Sequence, residues 1–198
     1  MKLRTFNNGL SLLIVALGLY IALSPFLPQI AYWLRDKSPE TVAPYAGDLA
    51  EENGSDTTTP IPKDNRLVIP SIGIDEPIKE SSNIGIISEG GTWRRPNTAN
   101  PGDVNNTVIV GHRWYGPDAS TFYHLDKVAI GDRLAAYWEG EEILYEVTET
   151  KIVDASEVSI ESPTSEEQLT IYTCDPLWTA VNRLVVIAKP VSNNEDVR

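Results

Sequence analysis

The sequence predicts an all-β domain of about 130 residues behind one apolar N-terminal segment. Three observations carry this expectation. Beyond Asn65, short runs rich in Val, Ile, Tyr and Thr recur, with Gly, Pro, Asn or Asp in most gaps. After the N-terminal segment, no stretch has the length and period of the crossover helices that an α/β fold requires. Thr5 to Leu34 carries no charged residue, whereas the stretch from Arg35 to Lys63 is polar.

The N-terminal segment is densest from Gly9 to Leu23 and continues through Ser24-Pro25-Phe26-Leu27 to about Ile30. That reaches the roughly 20 residues needed to cross a bilayer. Tyr32 and Trp33 come next, where amphipathic rings suit a lipid–water boundary. Residues 1–35 are therefore expected to be a cytoplasmic tip and a transmembrane anchor. No small-x-small cleavage site follows the apolar run, which argues against a cleaved signal. Lys2 and Arg4 face Arg35 and Lys37 across the span. A short basic tip that stays inside leaves the rest of the chain extracellular, on a single-pass protein of the cell membrane. Residues 36–63 hold Pro39, Pro44, Pro60 and Pro62 among Gly, Ser, Thr and acids, and are expected to be a flexible linker.

Residues 64–192 are expected to form the folded domain, with 193–198 a polar tail. Candidate strands are Arg66–Ile69, Ile72–Ile78, Ile84–Ile87, Thr107–Gly111, Arg133–Trp138, Ile143–Val153, Leu169–Cys174 and Arg183–Lys189. Trp138 to Ile143 reads as a hairpin turn, and Thr121–Lys127 as a short helix. About eight strands with short connections predict an antiparallel barrel or sandwich.

Acidic residues number 28 against 16 basic ones, for a formal net charge of −12. Such a surface repels nucleic-acid phosphates, and no basic patch offsets it, so no nucleic-acid partner is expected. The chain has 1 cysteine, Cys174, and so cannot form an internal disulfide. Cys174 is either a buried inert thiol or a nucleophile. A nucleophilic thiol needs a base or a neighbouring positive charge, and there are 2 histidines. His112 follows an apolar strand and a glycine, at a strand mouth. His124 lies in Phe122-Tyr123-His124-Leu125, which reads as a helical turn. Arg183 opens the last strand, where its guanidinium either joins a surface ion pair or stabilises a developing oxyanion. Strand, Cys174, loop, then Arg183 opening another strand permits both heads to share one sheet edge.

Asp175-Pro176 reads as a turn start rather than as a triad acid. One Cys and two separated His give no zinc spacing, so no metal site is expected. Glu141, Glu142, Glu157 and Glu161 could ligate calcium but match no calcium loop. No cofactor is expected.

These parts resemble the sortase family, the membrane-anchored cysteine transpeptidases of bacteria. Thr170-Ile171-Tyr172-Thr173-Cys174 is similar to the family's Thr-Leu-x-Thr-Cys signature, with Ile171 replacing Leu. Arg183-Leu184-Val185-Val186 is similar to its arginine segment, and Gly111-His112-Arg113 to its histidine segment. The lead-in Asn100 to Val110 resembles Pro-Gly-x-x-Gly-Asn, with Asn105 in place of the glycine. Phe122 to Asp132 resembles Phe-x-x-Leu-x-x-Val-x-x-Gly-Asp. The pieces come in the family's order from Arg66 to Pro190.

The resemblance implies an eight-stranded sortase-like β-barrel and a catalytic set of His112, Cys174 and Arg183. It implies that Cys174 cleaves a Leu-Pro-x-Thr-Gly-like sorting signal through a thioester. The acylated protein then passes to an amine acceptor, a peptidoglycan precursor or a pilin lysine. The implied partners are surface proteins that carry such a signal, that acceptor and the membrane. The Cys-x-Pro start and the step to Arg183 resemble classes C, D and E more than class A. The alternatives are a non-catalytic anchored β-domain that binds a surface partner, and a thiol protease in which water resolves the thioester.

Overall fold

From Arg66 onward the β-branched and apolar runs do fold as strands. The computed structural model describes residues 2–24, 61–113 and 121–191. They fall in two units, Met1–Ser38 and Pro39–Arg198. The expected linker, apart from residues 61–63, and the expected polar tail lie outside the described residues.

The first unit holds helix α1, Lys2–Leu23. The expected transmembrane helix and single-pass membrane location are corrected here. Among the described residues, no helix is long and apolar enough to cross a membrane. The helix begins on Lys2-Leu3-Arg4-Thr5-Phe6-Asn7-Asn8, so its apolar part is only Gly9–Leu23. At 1.5 Å per residue that part spans roughly 22 Å, against a hydrocarbon core of about 30 Å. The apolar composition continues to Ile30, but those further residues lie outside the described ones.

The second unit contains eight strands: β1 Arg66–Ile69, β2 Ile74–Glu80, β3 Thr92–Arg94, β4 Asn106–Val110, β5 Arg133–Trp138, β6 Glu141–Asp154, β7 Gln168–Asp175 and β8 Asn182–Pro190. They close into a barrel in the order β1-β2-β3-β4-β7-β8-β6-β5, with β5 pairing back onto β1. The eight-stranded β-barrel expectation holds, with three differences. Ile84–Glu89 is 3-10 helix rather than strand, because Asn83 caps it by accepting the Gly85 amide at 2.8 Å. The short strand β3 is absent from the expected set. The barrel is also mixed, since β2–β3 and β4–β7 run parallel. The hairpin between β5 and β6 turns on Glu139 and Gly140, both at positive φ (52° and 86°), as a two-residue turn requires. The expected short helix over Thr121–Lys127 is reduced to a 3-10 turn at Leu125–Lys127.

Strand alternation divides the side chains into two sets. Ile109 of β4, Leu169 and Ile171 of β7, and Leu184, Val186 and Ala188 of β8 point into the barrel core. Val108 and Val110 of β4 point outward and pack with Ile87, Trp93 and Tyr172 in a second apolar cluster. The β4–β7–β8 wall is therefore buried on its inner face and partly covered on its outer one. Fully burying each Ile or Leu contributes roughly 1.5–3 kcal/mol, so the register of this wall is strongly specified. A slip of one residue would exchange the two faces.

Candidate active site

The β4–β7–β8 wall places the three residues singled out from the sequence. Cys174 on β7 lies directly opposite Arg183 on β8. Both have the parity of the outward set, because Thr173 and Leu184 beside them are buried inward. On the other side, β7 pairs in parallel with β4 up to Val110↔Tyr172. Two residues further along each chain stand His112 and Cys174. The connection persists past the last ladder pair, since Thr173 Oγ1 donates to the Gly111 carbonyl at 2.8 Å. Adjacent strands lie about 4.8 Å apart. His112, Cys174 and Arg183 thus occupy neighbouring positions across three strands, on one outward face.

Gly111, directly before His112, lies in close contact with Phe122. A Cβ built there would lie 2.7 Å from Phe122 Cδ2 and 2.8 Å from its Cε2. Phe122 is fully buried in the core, and its amide donates to the His112 carbonyl at 2.8 Å. The glycine therefore lets an aromatic ring press against the strand end that carries the imidazole. Gly111→Ala is expected to force ring and strand apart and cost about 1–3 kcal/mol. A chemical-denaturation midpoint checks this, and an unchanged midpoint contradicts it.

Burial holds the His112 imidazole below its ordinary value of 6.5, because desolvation disfavours the cation. The ring is therefore neutral at neutral pH, as a proton acceptor must be. As the pH drops below 6.5, the unfolded chain takes up the proton first. Folding stability then falls from 6.5 down through the folded-state value. An NMR titration of His112 is expected to give a midpoint below 6.5; one above it contradicts the burial argument.

Cys174 is partly exposed and free of disulfide, so an incoming carbonyl can reach it. Arg183 Nη1 donates to the carbonyls of Ala180 at 3.0 Å and Asn182 at 2.9 Å. These two bonds orient the guanidinium on the β7–β8 connection. Trp178 on the same connection is 82% exposed and so is not a core aromatic. His124 lies on none of the three strands. It precedes the Leu125–Lys127 turn, with its ring edge-on to Tyr123 at 4.8 Å.

The outer face beside the site has a built wall. Tyr172 donates its hydroxyl to Glu161 at 2.5 Å, and Arg95 pairs with the same carboxylate at 2.9 Å. Burial first, and then this bond to Glu161, pushes the Tyr172 hydroxyl well above its ordinary range. Asn106 donates to the carbonyls of Ile160 and Ser162, each at 3.0 Å. The connection from β6 to β7 is thereby fastened over β4 and β7. Glu161, weighed from the sequence as a calcium ligand, is occupied by Arg95 and Tyr172. Among the described residues, no group of three or more His, Cys, Asp or Glu side chains is arranged to hold a metal ion.

Sequence reading missed two participants near the site. Asp175 is not only a turn residue: its carboxylate pairs with Arg113, which is 9% exposed. The available signal was position. Each charge directly follows a site residue at the end of an apolar strand, so alternation turns it inward, where a charge needs a partner.

Comparison with known proteins agrees with this arrangement. A family profile described as Sortase domain matches residues 67–191. Sortase A of Listeria monocytogenes is 26% identical over 92% of this chain and 90% of its own length. Sortase D of Bacillus subtilis is 29% identical over 64% of this chain and 63% of its own. The crystal structure of Streptococcus agalactiae sortase C1 in complex with MTSET superposes with a TM-score of 0.60, at 28% identity over 67% of this chain and 70% of that one. With the barrel, its strand order and a profile spanning nearly all of the folded unit in agreement, the chain belongs to the sortase family.

Proposed function

We propose that this chain is a cysteine transpeptidase in which Cys174 is the nucleophile, His112 the general acid and base, and Arg183 the electrostatic clamp. Family membership supports transpeptidase-type chemistry in general. The observation that carries the finer reading is the register. Cys174 faces Arg183 across β7–β8, and His112 follows the parallel β4–β7 ladder two residues past Val110.

The Cys174 thiol gives its proton to His112 and attacks, as the thiolate, the carbonyl carbon of a backbone amide in an extended sorting signal of the Leu-Pro-x-Thr-Gly type. The oxyanion that forms lies against the Arg183 guanidinium, which is permanently charged and has fork geometry. The carbon–nitrogen bond breaks, and the departing amine takes a proton from His112. An acyl-enzyme thioester remains. An acceptor amine gives its proton to His112 and attacks the thioester, a new amide forms, and the thiolate leaves. Residues 64–192 form the catalytic domain. Surface proteins bearing the signal donate the acyl group, and a wall precursor or pilin amine accepts it. The β6–β7 connection, fastened to β4 through Asn106 and to β7 through the Tyr172–Glu161 bond, bears on which signal is read.

The test is intact mass. Incubation with a library of sorting-signal pentapeptides is expected to give a protein heavier by the acyl fragment, and added triglycine is expected to release it as an amide. Release only as the free acid, with triglycine present, makes the protein a thiol protease. No mass shift with any peptide refutes the reading.

A further inference from the structure

We infer that the Arg113–Asp175 ion pair is a positioning device that sets the placement of His112 against Cys174. The inference rests on the assignment of those two residues as acid/base and nucleophile. Arg113 directly follows His112, and Asp175 directly follows Cys174. Backbone pairing between β4 and β7 stops at Val110↔Tyr172. Beyond it the two strand ends carry the reactive side chains on their outer face. On the inner face they are stitched twice, by Thr173 Oγ1 to the Gly111 carbonyl at 2.8 Å and then by Arg113 Nη1 to Asp175 Oδ1.

The stitch is anchored from below. Arg113 Nη2 also reaches Asp126 Oδ1 at 3.2 Å, on the Leu125–Lys127 turn that comes after buried Phe122. Burial alone would raise the Asp126 carboxyl, but Lys127 and Arg113 outweigh it and hold it below the usual carboxylate range. Asp126 is therefore charged and available to Arg113. A guanidinium with its fork held between two carboxylates has little freedom. At 9% exposure it is also shielded from competing water. The side chains that touch substrate thus inherit their spacing from a part-buried pair on the opposite face of the same strands. Parallel strand ends without such a link are free to fray, and a displacement of about 1 Å between reacting groups can cost about 100-fold in rate.

The experiment tracks Cys174 reactivity directly, so no substrate need be known. Alkylation of the full chain by iodoacetamide is measured from pH 5 to 10 for the wild type, His112→Gln, Asp175→Asn, Arg113→Lys and Asp75→Asn. Asp75 pairs with Arg66 on the far side of the barrel and controls for the loss of an ion pair as such. His112→Gln is expected to change the rate at pH 7 by about tenfold, because it removes the imidazole assigned to accept the thiol proton. Asp175→Asn is expected to move the rate in the same direction by about threefold or more, and Asp75→Asn by less than about 1.5-fold. Arg113→Lys keeps the buried charge but loses the fork. It is expected to give a smaller shift of the same sign, and it carries the test if Asp175→Asn does not fold. If His112→Gln moves the profile while Asp175→Asn and Arg113→Lys overlay the wild type, the inference is wrong and the site assignment stands. If His112→Gln itself leaves the profile unmoved, the assignment of His112 fails first. An equal shift in Asp75→Asn reduces the effect to general loss of stability and overturns the inference.

Discussion

Cys174→Ala is expected to abolish acyl-enzyme formation and to lower transpeptidation by about 10³-fold or more, with the barrel still folded. The magnitude comes from the chemistry, since removing a covalent nucleophile closes the two-step route altogether. The persistence of the fold comes from the structure. Cys174 is only partly buried and faces outward, whereas the β7 core residues Leu169 and Ile171 face the barrel interior. The loss of one sulfur from that outer position removes little packing. Intact mass after incubation with the pentapeptide library reads the first effect, and a thermal melt reads the second. A mutant that still accumulates acyl-enzyme would show that another side chain is the nucleophile.

Arg183→Ala is expected to lower kcat by about 10²–10³-fold, the usual loss when a donor to a developing oxyanion is removed. Arg183→Lys is expected to recover only part of this. Lysine keeps the charge but presents a point donor in place of a planar fork. It also cannot reproduce the paired bonds to the Ala180 and Asn182 carbonyls that orient the group. Initial rates with any peptide found to acylate Cys174 check both variants. The informative outcome is the division between kcat and KM. A rise in KM alone assigns Arg183 to uniform substrate binding, and a fall in kcat assigns it to the transition state.

Much of this molecule is legible along the chain. The core strands β4, β7 and β8 appear as runs of Val, Ile and Leu whose lengths match strands, and the Glu139-Gly140 turn appears as composition. The residues around His112, Cys174 and Arg183 are also legible, because strand ends are marked by a switch from apolar to polar residues. Ile84–Ile87 misleads for the same kind of reason. A short apolar run has no period long enough to separate a strand from a capped turn, and the Asn83 side chain decides for the turn. The three-residue strand β3 is too short to stand out. It exists because parallel pairing with β2 and antiparallel pairing with β4 hold it from both sides. The N-terminal segment misleads in the opposite direction: among the described residues its helix, apolar from Gly9 to Leu23, is not long and apolar enough to cross a membrane.

The order of apolar runs, turn residues and chemically distinctive side chains determined by itself that this chain makes an all-β domain, a barrel or a sandwich, with a thiol, an imidazole and a guanidinium at strand ends. Those are local properties, carried by backbone propensity and short-range periodicity. Which strands become neighbours, and in which direction, only the closed barrel decided. Two of its joins are parallel, and both unite strands that are not joined by a hairpin. The juxtaposition of Cys174 with Arg183, the continuation of the β4 ladder toward His112, and the buried meeting of Arg113 with Asp175 all depend on that closure. The contacts between β4 and β7 bring together residues far apart in sequence, and no local signal specifies them, whereas the short β7–β8 connection already permits Cys174 to meet Arg183. They form because one register alone buries the inner face of β4, β7 and β8 together.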